Sequence, residues 1–166
     1  MQSDEVLAGI AQRLKDDGAV VSWQTLPGGQ VMVGYRGRFR LRWMATKLHL
    51  FTVAARVESA DAPTLERFAN DALDLAIRTK GRLRGLQVGV AAIPILAAQS
   101  VDAGAMDFAR NRLIRRWSAF AWPTVIDLGS ASSYFHEGRV TIGGVYAGWM
   151  RDRIAVALGP ALGGKR

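Results

Sequence analysis

Val6, Leu7, Ile10 and Leu14 recur at helical spacing behind Ser3, a candidate N-cap, and Gly18 follows Lys15-Asp16-Asp17 as a stop. The pattern predicts a helix over residues 4–16. Ala19 to Leu26 is rich in β-branched and aromatic residues and reads as a strand. It ends at Pro27-Gly28-Gly29, where proline presets φ and glycine permits φ > 0. Gln30 to Arg36 and Arg38 to Ala45 read as two more strands with Gly37 turning between them, and Lys47 to Val57 as a fourth. Within the third, Phe39, Leu41 and Trp43 alternate with Arg38, Arg40 and Arg42. A period of two sends the apolar set toward a core and the arginines to the opposite face.

Asp61 is a candidate cap for a helix over 61–79, with Pro63 in its first turn and an apolar stripe through Leu65, Phe68, Ala69, Ala72, Leu73, Ala76 and Ile77. Its acids (Glu66, Asp71, Asp74) lie early and its bases (Arg78, Lys80) late, as the helix dipole favours. Val88 to Ala97 is an uncharged apolar run expected to form a strand buried on both faces, with Pro94 arguing for a bulge or an edge position. A helix over 103–117, a strand over 122–128, a loop at 129–133, a hairpin over 134–142 turning at Glu137-Gly138 and a helix over 145–158 complete the order. Strands joined in sequence by tight turns predict an α+β fold. It comprises an antiparallel sheet of about four N-terminal strands plus further strands, flanked by three to four helices. One domain spans 1–160, and 161–166 is a frayed basic tail.

A length of 166 residues with 49% hydrophobic and 22% charged residues suits one globular core. The absence of cysteine excludes disulfides and thiolate chemistry. The acidic start Ser3-Asp4-Glu5 does not fit a secretory leader. The longest nearly uncharged stretch, Leu86 to Val101, is too short and polar to span a membrane, so the chain reads as soluble and cytoplasmic.

The net charge of +8 changes the picture more, because it is segmented. Arg36, Arg38, Arg40, Arg42, Lys47 and Arg56 face only Glu58 across residues 31–60. Arg78, Lys80, Arg82 and Arg84 follow without an acid, as do Arg110, Arg112, Arg115 and Arg116. Guanidinium forks pair bidentately with carboxylates and phosphates, which marks Arg36, Arg38, Arg40, Arg42, Arg82 and Arg84 as candidate partner-binding residues. The competing reading is a solvated or edge-protecting sheet face.

No phosphate loop, G-x-S-x-G elbow or paired metal-ligand histidines occur, so no cofactor, metal or catalytic residue is assigned. His49 and His136 are far apart, Ser130, Ser132 and Ser133 read as loop residues, and Glu58 and Asp127 lack the lysine a magnesium nuclease site needs. For single-stranded nucleic acid, aromatic side chains would have to share the arginine face, whereas Phe39, Leu41 and Trp43 point away from it.

Through about residue 97, the first turn at Gly28-Gly29, the strand Phe39-Arg40-Leu41-Arg42-Trp43 and the helix over 61–79 resemble type III secretion chaperone-like and YbjN-like proteins. That resemblance implies a non-enzymatic module that binds a protein partner, often as a homodimer. Across its whole length the chain also resembles a family of small uncharacterised proteins of high-GC bacteria, through Thr46-Lys47-Leu48-His49, Gly85-Leu86-Gln87 with Gly89-Val90-Ala91, and Gly143-Gly144 with Tyr146-Ala147. The reading is a non-catalytic module that recognises an acidic protein surface through its arginine-rich sheet face. Its alternatives are nucleic-acid binding, and an enzyme or small-ligand protein whose site forms only in the fold, which a cavity lined by Trp122, His136 or Tyr146 with a perturbed carboxylate would favour.

Overall fold

The uncharged run beginning at Val88 becomes the central strand of a sheet covered by helices on both faces, which explains why it carries no charge. A computed structural model describes residues 3–40, 46–80, 88–140 and 144–162. The elements are α1 (Ser3–Asp16), β1 (Val20–Leu26), β2 (Gly29–Arg40), β3 (Thr46–Ala60), α2 (Ala62–Lys80) and β4 (Val88–Val101). They continue with α3 (Ala103–Asn111), β5 (Ile114–Arg116), β6 (Ala119–Ala121), β7 (Thr124–Asp127), β8 (Ser132–Tyr134) and α4 (Gly144–Leu158). The class is α+β. No helix among the described residues is long and apolar enough to cross a membrane.

The strand order is β1-β2-β3-β4-β6-β5, with β7 on the same side of β4 as β6 and β8 beyond it. β1, β2 and β3 form an antiparallel meander, as expected. β4 pairs parallel with β3, β6 and β7, so the sheet is mixed: the helices α2 and α3 carry the chain back to the same end between these strands.

The two faces of the sheet bury separate apolar sets. Met32, Leu48, Leu50, Ile93 and Ile95 pack with α1 and α4 through Ile10, Leu14, Met150 and Ile154. Val33, Phe51, Val53, Leu96 and Val125 pack with α2 and α3 through Leu65, Leu73, Ala105 and Ala109. Burying such a Leu or Ile contributes about 1.5–3 kcal/mol each. The first of these cores reaches Leu162, which is 5% exposed and lies inside the stretch expected to fray.

Several local expectations are corrected. Gly37 is not a turn: β2 runs through it to Arg40, with Gly37 opposite His49 and Arg40 opposite Thr46. The helix after β4 stops at Asn111, and the next residues pair as a β5–β6 hairpin whose turn residue Ser118 has φ +47. Of the expected 134–142 hairpin, Tyr134 alone among the described residues is in a strand, as the last residue of β8, which begins in the expected loop at Ser132 and pairs with β7; residues 141–142 lie outside the described residues. Pro94 lies at neither an edge nor a bulge. The registers Ala92↔Ala121 and Ile95↔Thr124 are continuous, so β6 and β7 are one line of pairing interrupted at Trp122-Pro123, opposite Pro94. The even residues of β4 turn their amides to this line, as in Val90 N–H to Ser118 O and Trp122 N–H to Ala92 O. Proline falls where its missing N–H faces Trp122 O, and the Thr124 hydroxyl donates to that oxygen at 3.4 Å instead.

Candidate functional site

Topology separates the charges. β3, β4 and β6 all begin at the sheet end where β2 finishes, and this end collects Arg38, Arg40, Lys47, Lys80, Arg115 and Arg116. The opposite end, where β3, β4 and β7 finish, carries Glu58, Asp61, Asp102 and Asp127. Segmented charge in the sequence thus becomes a polar molecule with one basic end.

The candidate arginines divide within this frame. Arg36 and Arg38 lie on the face that α1 and α4 cover, since their cross-strand partners are Leu50 and Leu48. The expected open arginine face is therefore partly roofed. Arg36 is drawn under the roof, where its guanidinium and that of Arg153 in α4 both donate to Asp17 at the end of α1. Burial pushes the Asp17 carboxyl up, but the hydrogen bonds and charges of Arg153 and Arg36 outweigh it and hold it below the usual carboxylate range. Arg36 is thereby engaged within the fold.

Arg38 is exposed and has no ion-pair partner among the described residues. Arg40 is placed at the end of β2 by its register. Arg42, Arg82 and Arg84 lie outside the described residues.

Sequence reasoning missed two features of the basic end. On the α2 face, Tyr35 Oη lies 2.7 Å from His49 Nδ1, the two rings stack, and Lys80 Nζ sits 5.3 Å from the Tyr35 ring centroid. Gly37 makes room: a Cβ there would stand 3.3 Å from Tyr35 Oη and 3.4 Å from Lys47 Cε. Burial pushes the His49 pKa down, and Lys47 and Lys80 push it further; burial pushes Tyr35 up. On the other face, Arg115 projects from β5 opposite Phe120 while Arg116 turns to α2 and donates to Asp74 and Asn70. The Arg-Arg-Trp run had suggested the end of a helix, and only period-two alternation separates the two arginines.

Beside Arg115 opens a cavity of about 260 Å³. It is lined by Trp122 and Tyr146, two of the three residues whose cavity would favour the alternative reading, together with Leu48, Leu113, Phe120 and Val140, and no carboxylate lines it. Tyr146, in the first turn of α4, stacks on Phe120 with centroids 5.9 Å apart. Trp122 is fixed by its indole N–H to His136 O at 3.1 Å and by Arg151 over its ring. His136 itself is not part of this lining; its Nδ1 is 2.6 Å from Arg110 O.

The other polar residues serve local structure. Asp127 Oδ1 accepts from Gly129 N and Ser130 N, and Ser130 Oγ donates to Asp127 Oδ2. Ser133 Oγ donates to Leu162 O. Among the described residues no group of three His, Asp or Glu is placed to hold a metal ion. No protein-family model, curated protein or solved structure matches the chain.

Proposed function

We propose that the protein is a non-catalytic binding module that recognises an acidic protein partner through the basic end of its sheet. The observation that carries this reading is the gathering of exposed Arg38, Lys47 and Arg115 where β2 ends and β3 and β6 begin. None of the three has an ion-pair partner among the described residues, which include every acidic side chain of the sequence. Such a surface steers an acidic partner and fixes its orientation. It also agrees with the protein-binding role that the chaperone-like resemblance implies.

The test is affinity capture from native lysate with wild type and with Arg38→Glu plus Lys47→Glu, at low and moderate salt. Both side chains are exposed, so the double variant folds. A specific protein recovered by wild type alone, and lost as salt rises, supports the reading. Equal recovery by both overturns it, and recovery that nuclease treatment abolishes replaces it with nucleic-acid binding. A second reading, small-ligand binding, is favoured by the cavity beside Arg115.

A further inference from the structure

We propose that the cavity between β4, β6 and the first turn of α4 binds a small apolar carboxylic acid, with its ring or chain inside and its carboxylate on Arg115. The inference rests on the small-ligand reading; it shares Arg115 with the protein-partner reading, whose capture test changes Arg38 and Lys47 instead. Size comes first. An apolar cavity of about 150 Å³ accepts benzene, so about 260 Å³ accommodates a fused bicyclic ring or a ring with a short chain.

Chemistry comes second, from the hydrogen-bonding groups already engaged. Ser118 Oγ donates to Val88 O at 3.0 Å, the Trp122 indole N–H donates to His136 O, and the Arg116 guanidinium is held by Asp74 and Asn70. Arg115 remains as the lining cation with no acid beside it, and no acidic side chain lines the cavity. A cationic ligand would meet repulsion, and a neutral polar one would leave the guanidinium unanswered. A monoanion balances the single charge, and a carboxylate matches its fork bidentately. Arg38, cross-strand partner of the wall residue Leu48 on the same face, adds to the positive field.

The probes are 2-naphthylacetate and its neutral counterpart 2-naphthylethanol, titrated into the full chain while the Trp122 indole N–H is followed by nuclear magnetic resonance. The acid is expected to shift this resonance saturably and to bind roughly tenfold more tightly than the alcohol, the scale of one charge-assisted pair at a partly exposed site. Arg115→Gln, an exposed change, brings the acid to the alcohol's affinity and leaves the alcohol unchanged. Gly89→Leu fills the cavity floor and abolishes both. Arg78→Gln, an exposed change in α2 on the opposite face of the sheet, leaves both within about twofold of wild type, as expected for a single local charge-assisted contact. Equal binding of acid and alcohol by wild type would sink the carboxylate assignment while leaving a ligand cavity. No Trp122 shift with either probe would sink the small-ligand reading itself. Neither result bears on the capture experiment.

Discussion

Tyr35 and His49 are diagonal neighbours on β2 and β3, joined at 2.7 Å through the hydroxyl and Nδ1, and Gly37 leaves the space in which they meet. With the ring neutral and its proton on Nε2, the tyrosyl O–H donates to Nδ1. Burial and two nearby lysines hold the folded-state pKa of His49 below its unfolded value of about 6.5. The unfolded chain therefore binds the proton more readily. Stability from His49 is complete above that pH and declines as pH falls through about 6.5 toward the folded value. Urea unfolding midpoints measured from pH 8 to 5.5 should fall, and His49→Gln should flatten the decline. An unchanged slope in the variant would assign it to another group. Tyr35→Phe, which leaves Nδ1 without its partner, should cost about 1 kcal/mol at pH 8.

Asp17 joins three elements through one carboxylate, taking Arg36 of β2 and Arg153 of α4 at the end of α1. Its side chain is 23% exposed, so solvent screens the pair only in part. Asp17→Asn should destabilise the fold at pH 7 by about 1–3 kcal/mol, because two arginines lose their common acceptor. The folded pKa is depressed, so this contribution is present above the unfolded value of about 3.9 and is lost as pH falls through the folded one. Wild type and variant should therefore converge in stability once pH lies below the folded value. A gap that persists there would mean that Asp17 acts through packing and not through its charge.

Gly37 also shows where a sequence is silent. A glycine between two alternating segments reads as a turn, and here it serves a side-chain contact across the ladder, information that exists only once β3 is paired. Likewise Ser118 turns the β5–β6 hairpin at φ +47 without glycine or asparagine to announce it, so the residues read as more helix. Strong local signals carried through: α1 and α2 follow their apolar stripes and stops, with Gly18 at φ +86 after α1, and α4 ends at Leu158 before Gly159 at φ +71. For the site, Trp122 and Tyr146 stood in the sequence only as residues whose cavity would favour the alternative reading, and the fold is what brings them together beside Arg115. The capture of Arg36 by Asp17 was not, since it depends on how α1 and α4 lie across the sheet.

Two acids side by side start the two helices of one layer. β3 and β4 end in register at Ala60 and Val101, so Asp61 and Asp102 are neighbours, and each caps the helix that follows. Asp61 Oδ1 accepts from Thr64 N at 2.8 Å, and Asp102 Oδ1 from Ala105 N at 2.7 Å. α3 is only nine residues long and depends more on its cap. Asp102→Ala should lower stability by about 1 kcal/mol, with Asp102→Asn retaining most of it. Amide exchange should accelerate in α3 first. Equal losses for the alanine and asparagine variants would show that the carboxylate charge, and not the cap bond, is what matters.

Pro94 and Thr124 divide one hydrogen bond between them. Proline in the central strand leaves Trp122 O without the amide its register would supply, and the buried Thr124 hydroxyl reaches that oxygen. Thr124→Val keeps the shape and removes the donor, so it should cost about 1 kcal/mol. Pro94→Ala restores an N–H at the matching position but frees the unfolded chain, effects of about 0.4–1 kcal/mol that nearly cancel in the wild-type background. In the Thr124→Val background the new N–H meets an unanswered carbonyl, so Pro94→Ala should recover most of the loss. A thermodynamic cycle on the four proteins should give a coupling of about 0.5–1 kcal/mol. Additive effects would mean that Trp122 O is satisfied by solvent at the break between β6 and β7. The interruption would then be an opening in the sheet and not a repaired ladder.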